Sequence, residues 1–470
     1  MTSSRPNLLQ RTDRFDLGMI IFVAILVLFI GVVVIRGDQV GLGVDAYGPI
    51  DSASAHATIH LQFNEPVDLA EVQKAFSIQP SIKGSWSASG TEVTFHPGET
   101  LPVTQEYSVS VAAGLSGADH RSLENPLIWH FKIRAPRVVY LSPASGKVQN
   151  LFMADPASDA PAKQLTHSAM GIASYDVSPD GEQLVYSEIT QVKDLSYFAT
   201  QLVVMNLSTG ETRLTYDCKA MCTDLTWRPD GSMFAFQRAE FNLATGVGAG
   251  AARVWLFNIG SGTAQPFFTE DQRITFTPRW SPDGSRLAVV NSETASLIIR
   301  DIASGKDTVY PCDLWTLGTF SPNGRWLYFT RLDAVGADSA TAVHVVLLDL
   351  SADPLTQQDI VPDTTEVSDE EAIWLPDSTG LIIARQPPAR YNPRESALVE
   401  FDIASGASKI LIPSDTNTRH GLTISPLGDS FVFETTPVSL PAPSDTWRYS
   451  LKDNTSARIS QNATRPGWLP

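Results

Sequence analysis

The chain has 470 residues, of which 43% are hydrophobic and 18% are charged, and its formal net charge at pH 7 is −17. A single core rarely grows beyond about 250 to 300 residues, so at least two folded domains are expected. The acidity argues against nucleic acid as a partner, because no run of Lys and Arg offsets a field that repels phosphate backbones. With 31 Gly and 31 Pro, the composition favours many turns and short strands, and therefore an all-β fold.

An uncharged apolar run of 19 residues lies near the amino terminus, from Leu17 to Ile35. This length suffices for a helix that crosses a bilayer. A cleaved signal peptide is the alternative, but its apolar region is shorter and ends at small residues, whereas this run ends at Arg36-Gly37-Asp38. Three arginines precede the run, so we predict a cytoplasmic tail at 1–16, a single-pass plasma-membrane helix at 17–35 and an extracytoplasmic remainder.

Residues 45–135 alternate apolar and polar side chains in short runs, as in 58–63 and 107–111, which is typical of strands in a β-sandwich. The segment resembles the SbsA-type bacterial Ig-like domain through Ile59, Leu61, Phe63, Asn64-Glu65-Pro66-Val67-Asp68, Ile78-Gln79-Pro80, Gly84, Trp86, Thr94-Phe95-His96-Pro97, Leu101, Tyr107 and Trp129-His130-Phe131. The resemblance implies a spacer or adhesion module without catalysis.

Histidine is frequent in this segment, at positions 56, 60, 96, 120 and 130. Their spacing gives no ligand pair on a shared turn of helix or an adjacent loop, so we interpret them as exposed strand positions and predict no metal site. Trp86 and Trp129 are interpreted as core residues and not as a carbohydrate platform.

A turn motif recurs along the rest of the chain. The copies are Ser178-Pro179-Asp180-Gly181, Arg228-Pro229-Asp230-Gly231, Ser281-Pro282-Asp283-Gly284, Ser321-Pro322-Asn323-Gly324, Leu375-Pro376-Asp377-Ser378 and Ser425-Pro426-Leu427-Gly428. Their prolines lie 50, 53, 40, 54 and 50 residues apart, a period typical of a four-stranded propeller blade. Proline presets φ, Asp or Asn accepts a local backbone hydrogen bond and glycine takes a conformation that other residues resist. We therefore interpret these aspartates as turn formers and not as catalytic acids.

Each motif follows a bulky residue and precedes a strand. The bulky residues are Val177, Trp227, Trp280, Phe320, Trp374 and Ile424. Two further strands fill the interval, for example 201–207 and 211–215. The pattern resembles the TolB-like propeller repeats across residues 137–470, and the resemblance implies a β-propeller.

The last residues of the chain supply a strand that the first blade lacks. Residues 138–141, 150–155 and 163–166 predict only three strands before the first turn motif, while Arg465-Pro466-Gly467-Trp468-Leu469-Pro470 matches Thr277-Pro278-Arg279-Trp280-Ser281-Pro282. We expect the C-terminal strand to close the first blade and leave no open sheet edge. The result is about seven blades, where TolB itself has six.

Alternation along the inner strands predicts which side chains reach the central channel. If the bulky residue before each motif lies between blades, residues one and three positions earlier face the channel. This rule selects Asp176, Asp224, Arg279, Glu371 and Arg465, with His420 nearby. Such a ring of mixed charge is a candidate binding site at the channel mouth, although polar residues also line solvated channels without binding anything.

Three cysteines occur, at 218, 222 and 312. Cys218 and Cys222 could form a disulfide across a tight turn in an oxidising compartment, which would leave Cys312 unpaired. No cofactor motif is present.

The function that these observations favour is binding. No G-x-S-x-G, H-E-x-x-H, P-loop or dinucleotide motif occurs, so an enzyme is not predicted. We expect a membrane-anchored binding or scaffold protein of the bacterial cell envelope, whose propeller engages a protein, a peptide or a cell-wall glycan. Two alternatives remain open: a surface hydrolase or lyase that uses channel carboxylates, and a structural envelope component without a small ligand.

Overall fold

The structure is a computed structural model that describes Met19 and residues 21–28, 41–146, 148–158, 160–194, 197–270, 273–311, 314–335, 340–362, 365–388, 395–439 and 442–470. Residues 21–28 are helical. Most of the predicted membrane span at 17–35 lies outside the described residues, as do the predicted cytoplasmic tail and Cys312. In the described part of the chain, no helix combines the length and the apolar character needed to cross a membrane.

Residues 44–133 form two four-stranded sheets and a short helix, Leu69–Ala75. The strands are β1 (Val44–Gly48), β2 (Asp51–Ala53), β3 (Ile59–Phe63), β4 (Phe76–Gln79), β5 (Gly84–Ser89), β6 (Glu92–Pro97), β7 (Glu106–Val111) and β8 (Leu127–Ile133). One sheet has the order β1-β3-β6-β5 and the other β2-β8-β7-β4. Asp68 caps the helix by accepting the backbone N–H of Ala70 at 2.7 Å.

The two sheets bury their facing sides in one apolar core. Tyr107, Val109 and Val111 are buried at alternate positions of β7, because successive side chains of a strand point to opposite faces. Trp129 is buried in this core, and its Nε1 donates to the carbonyl oxygen of Pro49 at 3.1 Å. Trp86 packs against the same core. Both tryptophans are therefore core residues, as predicted.

Residues 137–469 contain the remaining strands. The first ten are β9 (Arg137–Ser142), β10 (Asn150–Ala154), β11 (Lys163–Gln164), β12 (Ile172–Val177), β13 (Gln183–Asp194), β14 (Tyr197–Asn206), β15 (Thr212–Trp227), β16 (Met233–Phe241), β17 (Ala249–Asn258) and β18 (Thr263–Pro266). The next eight are β19 (Thr275–Trp280), β20 (Arg286–Asn291), β21 (Ser296–Asp301), β22 (Asp307–Pro311), β23 (Leu314–Phe320), β24 (Trp326–Val335), β25 (Ala340–Asp349) and β26 (Thr356–Asp359). The last nine are β27 (Ser368–Trp374), β28 (Gly380–Gln386), β29 (Ala397–Asp402), β30 (Ser408–Ile412), β31 (Asn417–Ile424), β32 (Ser430–Pro437), β33 (Asp445–Ser450), β34 (Thr455–Ser460) and β35 (Thr464–Leu469).

These strands pair as antiparallel sheets in chain order. Four-stranded sheets consist of β19 to β22, β23 to β26, β27 to β30 and β31 to β34, and β12 to β18 form one seven-stranded sheet. The remaining sheet has the order β11-β10-β9-β35. Trp468 of β35 pairs with Val138 of β9, which confirms that the C-terminal strand completes the first sheet.

Each sheet is covered on both faces by its neighbours. Middle strands are therefore continuous apolar runs, as in Leu381-Ile382-Ile383 of β28, all of which are buried. Outer strands are exposed and polar, as in β26. Apolar clusters join successive sheets, and one of them joins Val432 of β32 to Val138 and Tyr140 of β9. The propeller core is thus a series of layers between sheets, and the last sheet packs on the first.

The repeated motif forms a tight turn between two consecutive strands, as between β12 and β13 and between β15 and β16. The side-chain oxygens of Asp180, Asp230, Asp283, Asn323 and Asp377 each accept the backbone N–H two residues ahead, at 3.0 Å. The glycine positions have positive φ, and Ser378 adopts +62° where other copies have glycine. The turn-former interpretation is confirmed.

The tryptophans that precede the motif link neighbouring inner strands. The Nε1 atoms of Trp227, Trp280, Trp374 and Trp468 donate to backbone carbonyl oxygens of the neighbouring inner strand, those of Asp176, Thr226, Thr319 and Thr423, at 2.9 to 3.3 Å. The repeated residue therefore fixes the spacing between successive inner strands by a hydrogen bond as well as by packing.

Candidate functional site

A cavity of about 1070 Å³ lies among the inner strands of the propeller. Asp176, Asp224, Glu371 and Arg465 line it, so four of the six residues selected from the sequence come together. Apolar side chains complete the wall, among them Tyr175, Phe198 and Trp468. The lining residues come from strands far apart in the chain, among them β12, β15, β27, β31 and β35.

Arg279 and His420 do not line the cavity but contact residues that do. Arg279 Nη1 lies 3.2 Å from Asp224 Oδ1 and 2.7 Å from the carbonyl oxygen of Pro278. His420 Nδ1 lies 3.5 Å from Glu434 Oε2, and its Nε2 is 3.0 Å from Thr436 Oγ1. Both residues are therefore partners of the wall and not part of its surface.

Irregular inner strands shape the cavity. A residue with positive φ lies five positions before the motif proline in several sheets: Asp224 (52°), Thr277 (54°) and Gly421 (63°), with Arg465 (51°) at the equivalent place in β35. The pairing register shifts at each of these points. A bulge of this kind leaves backbone groups without a partner in the ladder. The unpaired backbone N–H groups therefore need hydrogen-bond acceptors from other strands.

Carboxylates of neighbouring strands supply these acceptors. Glu371 accepts the backbone N–H groups of Gly421 at 2.7 Å and Leu422 at 3.1 Å. Glu434 accepts the hydroxyl of Thr464 at 2.6 Å and the backbone N–H of Arg465 at 2.5 Å. Three channel acids thus brace adjacent inner strands, since Asp176 likewise accepts the backbone N–H of Trp227, at 2.7 Å.

Burial changes the acidity of these groups. It raises the pKa of Asp176 to about 7, against the lowering effect of the N–H donors of Trp227 and Val177. Burial also raises the pKa of Glu371. For Glu434, burial acts in the same direction, but the neighbouring His420 and the donors of Thr464 and Arg465 hold its pKa below the usual value. The wall therefore combines two acids whose pKa is raised by burial with one whose pKa is lowered by its neighbours.

His420 and Glu434 reinforce each other as an ion pair. Burial disfavours the charged imidazole, but the hydrogen bond to Glu434 and the charges of Glu434, Glu371 and Glu370 raise the pKa of His420. Sequence reasoning missed Glu434 because it searched only the inner strands. The signal was present, since Glu434 is a lone acid that directly follows the apolar run Phe431-Val432-Phe433.

A disulfide lies beside the cavity. Cys218 and Cys222 are bonded within β15, with Cα atoms 6.5 Å apart, and both are buried. Lys219 between them has a φ of 52°, and Met221 lines the cavity. The covalent link therefore holds the short turn from which Met221 reaches the wall. Within the described residues, no group of three or more His, Cys, Asp or Glu is placed to hold a metal ion.

The Ig-like sheets contact the propeller at the end where the turn motifs lie. Ser54 Oγ donates to the carbonyl oxygen of Asp180. Arg134 Nη2 donates to the carbonyl oxygens of Gly181 at 2.8 Å and Pro470 at 3.3 Å, and Arg134 Nη1 lies 3.2 Å from Glu182 Oε1. The hairpins between second and third strands, such as β13 to β14 and β16 to β17, extend from the opposite end.

The architecture is that of a bacterial Ig-like sandwich followed by a β-propeller, and comparisons with known proteins agree with it. A family model described as bacterial Ig-like domain matches residues 38–133. This confirms the family predicted for the first domain. None of the curated proteins compared with the chain matches it significantly.

Solved structures of similar fold are propeller proteins. A prolyl endopeptidase is 11% identical, with a TM-score of 0.50, over 85% of this chain and 52% of its own. Prolyl oligopeptidase B from Galerina marginata is 12% identical, with a TM-score of 0.50, over 70% of this chain and 51% of its own. The chain thus spans about half the length of these two proteins, and the likeness concerns the fold alone. TolB from Acinetobacter baumannii is 13% identical, with a TM-score of 0.41, over 84% of this chain and 83% of its own.

Proposed function

We propose that this protein is a membrane-anchored extracytoplasmic binding or scaffold protein, whose propeller cavity receives part of a protein, a peptide or a cell-wall glycan. The observation that carries the proposal is the cavity of about 1070 Å³, which is large enough for a ligand of several residues and has both apolar and charged walls. Residues 17–35 would form the single-pass anchor, with residues 1–16 cytoplasmic and the Ig-like domain as a spacer.

The charges of the wall favour a ligand that carries a positive group. Four acids, Asp176, Asp224, Glu371 and Glu434, line the cavity together with one cation, Arg465. Arg465 Nη1 already donates to the carbonyl oxygen of Ala173, and Arg279 neutralises Asp224 from behind the wall. A lysine or arginine side chain between the aromatic residues would complement the remaining acidity.

Binding is favoured over hydrolysis because the acids already have structural partners. Glu371 and Glu434 each accept two donors from an adjacent strand, so a change of their position or charge would disturb the inner strands. A glycosidase instead needs an acid and a base that are free to act on the substrate from two sides.

A propeller of seven blades accounts best for the sheets. β15 has 16 residues and pairs with β14 through its first part and with β16 through its second. It would then serve as the outer strand of one blade and the inner strand of the next, which divides the seven-stranded sheet into two blades.

With the Ig-like domain at the turn-motif end, a partner would reach the cavity from the hairpin end.

Photo-crosslinking of the full chain in its native envelope tests the cavity. A photoreactive residue is placed at Met221 or Phe198, which line the cavity, and at Ile410, which is 64% exposed on the outer strand β30, as the control. We expect a crosslinked product from the two cavity positions and none from Ile410. Products from Ile410 alone would contradict the proposal and place the partner on the outside of the blades. Protease treatment of the product distinguishes a protein or peptide from a glycan.

The anchor is tested separately. We expect the full chain to stay in the membrane pellet after extraction with alkaline carbonate, while a variant that lacks residues 17–35 is released. Release of both forms would contradict the anchor and leave the cavity proposal intact.

A further inference from the structure

A second cavity lies where the chain passes from the Ig-like domain into the propeller. It holds about 210 Å³, and its polar lining includes Arg134, Arg137, Lys163 and Glu182. The floor is apolar, with Met153 and Leu469 buried beneath it. Arg134 and Arg137 lie three residues apart, and Lys163 joins them because β11, β10, β9 and β35 are adjacent strands, with Met153 opposite Lys163 and Arg137 opposite Leu469.

Among the residues that the structure describes, only Arg134 of the three cations has an acidic partner. Arg134 Nη1 lies 3.2 Å from Glu182 Oε1, and its Nη2 donates to the backbone carbonyl oxygens of Gly181 and Pro470. Arg137 is half-buried, yet the contact of its guanidinium among the described residues is with Met153 Sδ at 3.9 Å, a weak acceptor. Lys163 is exposed and forms no ion pair with a described residue. Within the described part of the chain, the cavity therefore keeps two cations that form no ion pair.

Unpaired cations of this kind are unexpected in so acidic a chain. The sequence has 51 Asp and Glu against 34 Lys and Arg. Half-buried arginines elsewhere in the propeller bind carboxylates: Arg385 lies 2.6 Å from Asp369 and Arg300 lies 2.6 Å from Asp307. Acids thus pair with these arginines, whereas no acid among the described residues forms an ion pair with Arg137 or Lys163.

We propose that the cavity binds a phosphate-class oxyanion held by Arg137 and Lys163. A guanidinium offers several N–H donors in a plane and an ammonium adds a compact charge, and together they suit a group whose oxygens accept from several directions. Ser52 lines the same cavity with an exposed hydroxyl that can donate. The net charge of the chain does not prevent this, because charges farther away than about 8 Å are largely screened at physiological salt.

Two sources could supply this chemistry: inorganic phosphate, and the phosphate of a lipid headgroup with part of its chain on the apolar floor. The proposal is independent of the ligand in the propeller channel. Its site lies between the Ig-like domain and the first two sheets, outside the ring of inner strands.

Calorimetric titration of the full chain, in a micelle of uncharged detergent, tests the site. Inorganic phosphate and a short-chain phosphatidylglycerol are titrated separately at constant ionic strength. The test variant is Arg137→Gln with Lys163→Gln. The matched control is Lys409→Gln with Arg458→Gln, which makes the same change of charge at exposed residues that already pair with Glu400 and Asp445.

We expect the wild type to bind at least one probe saturably, the test variant to bind it at least tenfold more weakly, and the control to match the wild type. The tighter probe identifies the source. No saturable binding of either probe would overturn the proposal, and so would an equal loss in both variants, which would show a general effect of charge. Thermal unfolding of both variants at the wild-type temperature excludes a loss of fold as the cause.

Discussion

The Ig-like domain and the propeller bury their apolar residues in different ways. The Ig-like domain has one cluster, shared by two sheets that face each other. The propeller has a series of smaller clusters, one within the seven-stranded sheet and the others shared by two neighbouring sheets, and the series returns from the last sheet to the first. Removing an element at a sheet edge should therefore have a local effect in the first domain and a general one in the second.

Removal of β35 should have the largest effect. Without residues 464–470, β9 loses its inner partner and the cluster of Val432, Val138 and Tyr140 loses its cover. Trp468 Nε1 and the contacts of Arg465 with Glu434 disappear as well. We expect the propeller to lose its cooperative thermal transition while the Ig-like domain keeps its own, as followed by calorimetry. A propeller that unfolds normally would show that closure is dispensable.

A cavity in the Ig-like core should have a smaller and local effect. Phe63 is 1% exposed, so Phe63→Ala should destabilise the Ig-like domain by about 3–5 kcal/mol and leave the propeller transition in place. Ile50→Ala is the control, because Ile50 is 53% exposed and should cost little. Urea unfolding measures both. If both transitions moved equally, the Ig-like domain and the propeller would unfold as one cooperative unit.

The hydrogen bonds that tryptophan side chains make between sheets should contribute less to stability than β35 or the side chain of Phe63. Trp280 Nε1 donates to the carbonyl oxygen of Thr226 at 3.3 Å, whereas the buried Nε1 of Trp447 has no partner among the described residues. Trp280→Phe should lower the stability of the propeller by about 1–3 kcal/mol, since it leaves a buried carbonyl unpaired. Trp447→Phe removes a donor that has no partner and should cost less. Equal losses, measured by urea unfolding, would show that the indole volume and not the hydrogen bond matters.

Asp176 should make the stability of the propeller depend on pH. Its pKa rises from 3.8 to about 7 on folding, so the folded state holds this proton more tightly than the unfolded chain does. The contribution to stability is complete below the unfolded pKa and is lost as pH rises through about 7. Asp176→Asn cannot ionise, so its stability relative to the wild type should improve between pH 5 and pH 8.

Urea unfolding at four pH values across that range measures the difference for Asp176→Asn. Asp230→Asn, at an exposed turn position, is the control for the substitution itself. A constant difference between wild type and Asp176→Asn over the whole range would contradict the raised pKa.

Much of the candidate site could be predicted from repeats. The position of Asp176, Asp224, Glu371 and Arg465 relative to the turn motif placed all four on inner strands, and the structure brings them to one cavity. The sequence rule for inner strands did not select Glu434, because this residue lies on the second strand of its sheet. Its carboxylate reaches the centre only because the neighbouring strand bulges at Arg465 and leaves an N–H to be satisfied.

The structural roles of the acids could not be predicted either. A ring of mixed charge looks like a binding site in the sequence, but Glu371 and Glu434 also hold adjacent strands together. This dual role depends on which backbone groups the ladder leaves unpaired, and such irregularities arise between strands that are distant in the chain.

The sequence by itself determined the order of the domains, the turn motifs and the pairing of the C-terminal strand with the first sheet. These features follow from local rules: alternation along a strand, the conformations of Pro, Asp and Gly in a turn, and a repeat that matches itself. Only the tertiary structure decided which charges meet. Arg137 and Lys163 share a cavity, and Arg279 faces Asp224, because strand pairing and the ring of sheets bring together residues that no local pattern connects.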